Sequence, residues 1–199
     1  MNKVISILII LSIGVSILWV GTDGLKVLTT EGERRKLVEE QPRPLPPVTL
    51  RDQRGELFKL QDFQGSNVLV EFIYTRCSTL CHELGQTFEY VAEKIPPYLQ
   101  GRHVYLISIS FDPRDTVEDL KSYGDRYGTI PDFWKVAKVE NKKELKLLLE
   151  TFGITVIPDQ KGDFEHNAGV HFVNKSVKLD KIVSLEPHSE IIKELVLRL

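Results

Sequence analysis

Residues 67–84 read NVLVEFIYTRCSTLCHEL, and this stretch decides both the fold class and the candidate site. Its first half, NVLVEFIYT, is an apolar run rich in β-branched and aromatic residues, which predicts a strand buried on both faces of a sheet. Its second half holds both cysteines of the chain, Cys77 and Cys81, with three residues between them. A buried strand is therefore predicted to lead directly into a cysteine-bearing turn.

The segments around this stretch alternate between predicted strands and predicted helices. A hairpin is expected from about Val48 to Leu60, because apolar and polar residues alternate around a turn that contains Gly55. After the cysteines the pattern predicts helix, strand, helix, strand, helix, two strands and a last helix. This order is typical of an α/β fold with a mixed central sheet flanked by helices. Because the cysteines lie at a strand-to-helix corner, the arrangement is predicted to be thioredoxin-like, with the hairpin added at the N-terminal side.

The first part of the chain differs in composition from the rest. Residues 1–20 are predicted to be a membrane anchor, because the run from Val4 to Val20 carries no charge and follows Lys3. That run is at the short end of the roughly 17 to 25 residues that span a bilayer as a helix. A cleaved signal peptide is the alternative, although the end of the run fits a small-residue cleavage site poorly. Both alternatives place the following domain on the extracytoplasmic side of the cell membrane.

Two further parts follow the predicted single-pass anchor. Residues 21–44 are predicted to be a polar, proline-rich tether, because their charges are mixed and PRPLPP favours a stiff, extended chain. Residues 45–199 are predicted to be the thioredoxin-like domain. A chain of 199 residues has room for one such domain plus an appendage.

The composition excludes two classes of protein. A hydrophobic fraction of 42% and a charged fraction of 27% are those of a globular protein. A net charge of -2 offers no basic surface of the kind that binds nucleic acid. Two cysteines are too few for a small secreted scaffold that depends on many disulfides. The closeness of the two cysteines therefore needs a local explanation.

The cysteine spacing suits either a disulfide or a metal. Four residues of separation place Cys77 and Cys81 on one face of a helix, one turn apart. Two thiolates there could form a disulfide or bind one soft cation, and a metal site would need a further ligand. His166 lies in a polar loop that leads into a strand, and such a loop could reach the sheet edge. The remaining histidines have ordinary structural explanations: His82, His103, His171 and His188.

Three motifs in order resemble the Sco family, also called Sco/SenC, of membrane-tethered, thioredoxin-like copper proteins. They are VLVEFIYTRCSTLC (68–81), SISFDPRDTVEDLKSYGDRYG (108–128) and HNAGVHFVN (166–174). The resemblance extends from about Leu45 to Leu199, which is nearly all of the predicted domain. It implies that the domain is a copper-binding one.

The resemblance also implies a ligand set. By it, Cys77, Cys81 and His166 bind one copper ion, Cu(I) and/or Cu(II), and no residue is assigned a catalytic role. Asp112 matches a position near the metal in relatives, and Glu165 stands where the family usually has an aspartate before its copper histidine. Either carboxylate could support a ligand through a hydrogen bond.

The resemblance implies a partner as well. Such proteins help deliver copper to the binuclear copper centre of cytochrome c oxidase subunit II, with another copper chaperone or a thiol reductant as a further partner. One departure from the family is Ser78, where relatives commonly have proline.

Two enzymatic alternatives remain open. Cys77 and Cys81 could be the redox-active pair of a thiol–disulfide oxidoreductase that reduces client cysteines before metal enters. A thiol peroxidase would need a threonine or arginine beside one activated cysteine, and Thr75 and Arg76 are adjacent in the sequence. The spacing of three residues between the cysteines and the distal histidine favour metal binding over both.

Overall fold

In this computed structural model, the structure describes residues 3–21, 30–77, 80–130, 132–159 and 162–199. The helices are α1 (Lys3–Gly21), α2 (Thr30–Glu40), α3 (Leu80–Lys94), α4 (Val117–Arg126), α5 (Lys142–Phe152) and α6 (His188–Val196). The strands are β1 (Arg43–Pro44), β2 (Thr49–Asp52), β3 (Leu57–Lys59), β4 (Asn67–Ile73), β5 (Val104–Ser110), β6 (Trp134–Val139), β7 (Val156–Pro158), β8 (Phe164–His166), β9 (Val170–Val173) and β10 (Lys178–Val183).

Eight of these strands form a mixed central sheet. Their order across the sheet is β1-β10-β9-β4-β5-β6-β2-β3. Strands β4, β5 and β6 run parallel to one another, whereas β9 pairs antiparallel with β4 on the other side. The predicted α/β fold with a mixed central sheet is thereby confirmed. Strands β2 and β3 pair antiparallel and extend the sheet beyond β6, with Gly55 in the intervening turn at a φ of 81°.

Strand β4 lies at the centre of the sheet and leads to the cysteines. All seven of its residues are buried, as the apolar run predicts. Helix α3 follows and packs its apolar face on the sheet, because apolar side chains recur every three or four residues along it. The buried residues of that face and of the turn that follows are Leu84, Phe88, Val91 and Ile95.

A helix occupies part of the segment that the sequence assigned to a tether. Helix α2 packs against β10 and buries Val38 completely. The guanidinium of Arg34 donates to the Phe152 carbonyl at 2.6 Å and forms an ion pair with Glu31 at 2.7 Å. Residues 30–44 therefore belong to the folded domain. The sequence predicted a tether here because α2 is highly charged and contains a single buried valine.

None of the helices formed by the described residues combines the length and the apolarity needed to cross a bilayer.

A second departure from the sequence prediction concerns residues 156–159 and 162–166. The predicted polar loop is instead a hairpin, in which β7 and β8 form a two-stranded sheet of their own. Its turn is held by the Asp163 amide, which donates to the Asp159 carboxylate at 2.7 Å. The strands are only three residues long, so their alternation is too short to be recognised in the sequence.

Candidate metal centre

The two cysteines lie at the corner between β4 and α3. Cys77 precedes the helix and is 7% exposed, whereas Cys81 lies in the first turn of α3 and is 1% exposed. Neither is in a disulfide. Ser78, which lies between them, is outside the described residues.

Backbone amides at this corner donate to both sulfur atoms. The amide of Cys81 donates to the Cys77 Sγ at 3.3 Å, and the amide of Tyr74 donates to the Cys81 Sγ at 3.5 Å. Amides in the first turn of a helix have no partner within the helix, so a sulfur atom there satisfies a donor. The Cys81 amide, together with the positive end of the helix dipole, favours a negatively charged thiolate at Cys77.

His166 brings an imidazole to the sulfur atoms from the β7–β8 hairpin. Its Nε2 lies 3.9 Å from the Cys81 Sγ, and its Nδ1 lies 3.2 Å from the Asn167 carbonyl oxygen. A carbonyl only accepts, so Nδ1 carries the hydrogen and Nε2 presents its lone pair toward Cys81. Burial lowers the pKa of His166, which favours the neutral ring that a metal requires.

The Cys81 thiol holds its proton in the metal-free protein. The hydrogen bond with Cys77 and the burial of the group both raise the pKa of Cys81. Burial also raises the pKa of the neighbouring Tyr74 to about 12. Metal binding at this sulfur must therefore displace a proton.

The donor atoms fit a soft metal ion. The bond lengths typical of zinc, about 2.3 Å to sulfur and about 2.0 Å to nitrogen, would at a trigonal angle leave the two donors roughly 3.7 Å apart. The observed separation between Cys81 Sγ and His166 Nε2 is 3.9 Å. In the described part of the chain, no three His, Cys, Asp or Glu side chains already converge into a closed metal site. One thiol and the imidazole are thus at bridging distance, and Cys77 supplies a second sulfur at the same helix end.

The two carboxylates singled out from the sequence lie elsewhere. Glu165 is exposed and precedes His166 in β8, so the alternation of the strand turns its side chain to the opposite face. Asp112 is 1% exposed and accepts hydrogen bonds from the Arg114 guanidinium at 2.8 to 3.0 Å. Burial alone would raise the pKa of Asp112, but the hydrogen bonds from Arg114 bring that pKa below its usual value.

Asp115 supports the cysteine loop, a role that the sequence did not reveal. It accepts hydrogen bonds from the Thr75 amide at 2.9 Å and the Thr75 hydroxyl at 2.7 Å. The hydroxyl of Ser110 also donates to it at 2.6 Å. Thr116 caps α4, whereas the neighbouring Asp115 contacts the loop before Cys77.

A buried carboxyl group beneath the site was also missed. Glu71 lies in β4, is fully buried, and accepts a hydrogen bond from the Ser108 hydroxyl at 2.5 Å. The hydroxyl of Tyr123 lies 3.5 Å from Glu71 and 3.2 Å from the Cys81 carbonyl oxygen, to which it donates. Burial raises the pKa of Glu71 to about 8. The signal in the sequence was a glutamate within an otherwise apolar run.

The other histidines have the structural surroundings that the sequence suggested. His171 is fully buried in β9, where burial lowers its pKa to about 3 and its Nδ1 faces the Val70 carbonyl. His82 is exposed and its Nδ1 lies 2.8 Å from the Tyr127 hydroxyl. His103 is exposed, and His188 begins α6.

A family model and a known protein match most of this chain. Residues 39–198 match the family model described as SCO1/SenC. The chain is 25% identical over 154 residues to the SCO1 protein homolog of Bacillus subtilis (strain 168), which covers 74% of this chain and 79% of the relative.

Solved structures share the fold. A SCO1/SenC family lipoprotein from Bacillus anthracis str. Ames is 20% identical with a TM-score of 0.71, covering 79% of this chain and 97% of that one. ScoI of Bradyrhizobium japonicum with copper bound is 20% identical with a TM-score of 0.62, covering 78% and 99%. BsSco, described as having a disulfide switch and as a member of the Sco family of cytochrome c oxidase assembly proteins, is 24% identical with a TM-score of 0.63, covering 78% and 93%. The predicted thioredoxin-like fold is confirmed.

Proposed function

The chain belongs to the SCO1/SenC family, and from this membership we propose that it binds one copper ion through Cys77, Cys81 and His166. The observation that carries the proposal is the 3.9 Å separation between Cys81 Sγ and His166 Nε2, with the lone pair of the imidazole directed at the sulfur. Thiolates select soft ions such as Cu(I) over magnesium or calcium, and imidazole also suits copper. The copper-bound structure of ScoI from Bradyrhizobium japonicum supports the same choice of metal.

Each ligand has a distinct task in this proposal. Cys77 and Cys81 supply thiolates, and the proton that Cys81 holds in the metal-free protein leaves to solvent as copper arrives. His166 supplies a neutral nitrogen, fixed in its tautomer by the Asn167 carbonyl. Asp115 keeps the loop before Cys77 in place through its hydrogen bonds with Thr75.

The thiol state of the pair controls loading. A disulfide between Cys77 and Cys81 has no thiolate to offer, so oxidation of the pair, with loss of two protons and two electrons, excludes copper. Copper can enter only after a thiol reductant has restored both thiols.

We propose that the copper is delivered to the binuclear centre of cytochrome c oxidase subunit II. The description of BsSco as a member of a family of cytochrome c oxidase assembly proteins supports this destination. A site at the corner of the sheet, with one ligand on a separate hairpin, suits transfer because release of that ligand would break no backbone hydrogen bond of the eight-stranded sheet.

A second candidate function is reduction of client disulfides. It is favoured by the position of the pair, because Cys77 lies just before α3 and is the more exposed of the two thiols. The Cys77 thiolate would attack a client disulfide, and Cys81 would then displace the reduced client and leave a Cys77–Cys81 disulfide. Two electrons and two protons pass to the client in that exchange.

Cells that lack this chain provide the test. We expect low oxidase activity and little copper in subunit II, both restored by the wild-type chain and by the His103→Ala control, but not by Cys81→Ser. Full restoration by Cys81→Ser would overturn the proposal. If His166→Ala restores activity while Cys81→Ser does not, disulfide reduction replaces copper delivery as the function.

We further propose that residues 1–20 hold the domain at the cell membrane, on its extracytoplasmic side. The absence of charge from Val4 to Val20 supports an anchor, and anchoring raises the local concentration of a donor near a membrane-embedded client. The wild-type chain is expected in the membrane fraction of cells, and a chain without residues 1–20 in the soluble fraction. Recovery of the shortened chain in the membrane fraction would contradict this assignment.

A further inference from the structure

The β7–β8 hairpin carries His166 but belongs to a separate two-stranded sheet. The backbone ladder of the eight-stranded sheet therefore does not fix the distance between His166 and the cysteines. Side chains that join the hairpin to the rest of the domain must help to fix that distance. Arg114, in the loop between β5 and α4, makes such a connection.

Arg114 is held first by Asp112. Its Nε lies 2.9 and 3.0 Å from the two Asp112 carboxylate oxygens, and its Nη2 lies 2.8 Å from Oδ2. The Arg114 amide also donates to Asp112 Oδ1 at 2.9 Å. Asp112 lies two residues after the end of β5 and is almost fully buried, so the guanidinium is held at a fixed point of the domain.

The same guanidinium reaches the turn of the hairpin. Arg114 Nη2 donates to the Gly162 carbonyl at 2.7 Å. Gly162 has a φ of +89°, and a Cβ there would lie 3.4 Å from Arg114 Nη1. The positive φ is the reason for glycine at this position, because side chains disfavour that backbone conformation.

An aromatic contact links Arg114 to the metal-facing end of the hairpin. The guanidinium carbon lies 5.2 Å from the centre of the Phe164 ring, within the range of a cation–π interaction. Phe164 in turn packs edge-on against Phe111 at 5.5 Å, and the His166 ring packs on the same Phe111 at 4.9 Å. A displacement of the Phe164 ring would therefore shift Phe111 and, through it, the His166 ring.

We propose that Arg114 is a positioning residue that clamps the β7–β8 hairpin, joining Asp112 to the Gly162 carbonyl so that His166 Nε2 stays opposite Cys81 Sγ. The functional meaning of the clamp rests on the proposed copper site, whereas the clamp itself rests on the contacts of the metal-free protein. Asp112 then acts on the site through Arg114. The fork of the guanidinium is essential, because a lysine ammonium cannot pair with a carboxylate through two nitrogens and also reach the carbonyl.

Hydrogen exchange of the metal-free full-length chain in mild detergent tests the clamp without copper. In Arg114→Met, the amides of 156, 157, 159 and 162–166 are expected to exchange at least about 10-fold faster, while those of β4 and β5 keep their rates. The matched control is Arg54→Met, since Arg54 is a similarly exposed arginine that pairs with Glu56 and Asp132. Unchanged exchange in the hairpin of Arg114→Met would overturn the proposal, as would an equal increase in Arg54→Met.

Copper affinity gives a second readout. Supporting residues around metal ligands typically contribute 10- to 100-fold to affinity, so Arg114→Met is expected to bind copper about 10- to 100-fold more weakly, with Arg114→Lys between it and wild type. The histidine contribution to the copper spectrum should weaken while the thiolate contribution remains. Wild-type affinity in Arg114→Met would refute a role at the metal. If the wild-type chain bound no copper, the proposed function would fail and the exchange rates alone would decide on the clamp.

Discussion

Replacing Glu71 with glutamine is expected to remove most of the loss of stability that the wild-type chain suffers between pH 4.5 and about 8. Glu71 is fully buried in β4, and its Oε2 has no hydrogen-bond partner among the described residues. The groups facing it are the hydroxyls of Ser108 and Tyr123, and Cys81 lies beyond Tyr123. None of these groups carries a positive charge that would stabilise the carboxylate.

The direction of the pH effect follows from the two states of the chain. In the unfolded chain Glu71 releases its proton near 4.5, whereas burial keeps that proton in the folded chain up to about pH 8. The folded state binds the extra proton within this interval, so raising the pH favours unfolding. At about 1.4 kcal/mol for each pH unit, the ionisation of Glu71 by itself lowers the free energy of unfolding by up to about 5 kcal/mol across the interval.

The measurement is guanidinium unfolding at pH 5 and pH 8 for wild type, Glu71→Gln and Glu93→Gln. Glutamine cannot ionise, so the fall in unfolding free energy between the two pH values should be several kcal/mol smaller in Glu71→Gln. Glu93 is exposed on α3, and its variant should show the same fall as wild type. A cost of burying the glutamine amide that is the same at both pH values does not affect this difference. Equal falls in all three proteins would show that Glu71 ionises freely in the fold.

Cys81→Ser is expected to lower the affinity for Cu(I) by more than about 100-fold, because losing a ligand exceeds the 10- to 100-fold typical of losing a supporting residue. Cys81 Sγ lies 3.9 Å from His166 Nε2 and sits in the first turn of α3, where the Tyr74 amide donates to it. A serine hydroxyl remains protonated at neutral pH and is a hard donor, so it cannot replace a thiolate toward copper. Copper would retain Cys77 and His166 alone.

Competition with a Cu(I) chelator of known affinity measures this loss. His103→Ala is the control, because His103 is exposed and lies far from both cysteines in the sequence. Unfolding midpoints of both variants establish that the fold is intact, because Cys81 is buried. A Cys81→Ser chain that competes as strongly as wild type would remove this sulfur from the site.

The sequence predicted the parts of the molecule that depend on long, regular patterns. The apolar run of β4 and the helical spacing of Leu84, Phe88 and Val91 predicted the buried strand and the helix that hold the cysteines. The mixed sheet followed from the alternation of such elements. The cysteine spacing identified a soft-metal or redox site, and the family resemblance supplied His166 as the third ligand, a hypothesis that the copper experiments decide.

The features that the sequence did not predict depend on single tertiary contacts. Helix α2 was interpreted as tether because only Val38 is fully buried among its charged residues. Asp115 resembled an ordinary capping residue, and only the folded chain shows that it bonds to Thr75, 40 positions away. Arg114 gave no signal at all, because its contact with Gly162 joins residues 48 positions apart.

The central claim is that Cys77, Cys81 and His166 bind one copper ion, and copper titration of the reduced full-length chain tests it most directly. Wild type and His103→Ala are expected to bind one copper per chain, with an absorption band from thiolate to Cu(II), and to bind none after oxidation to the disulfide. His166→Ala should lose that band and bind copper much more weakly. Copper binding and absorption that are unaltered in His166→Ala would contradict the account.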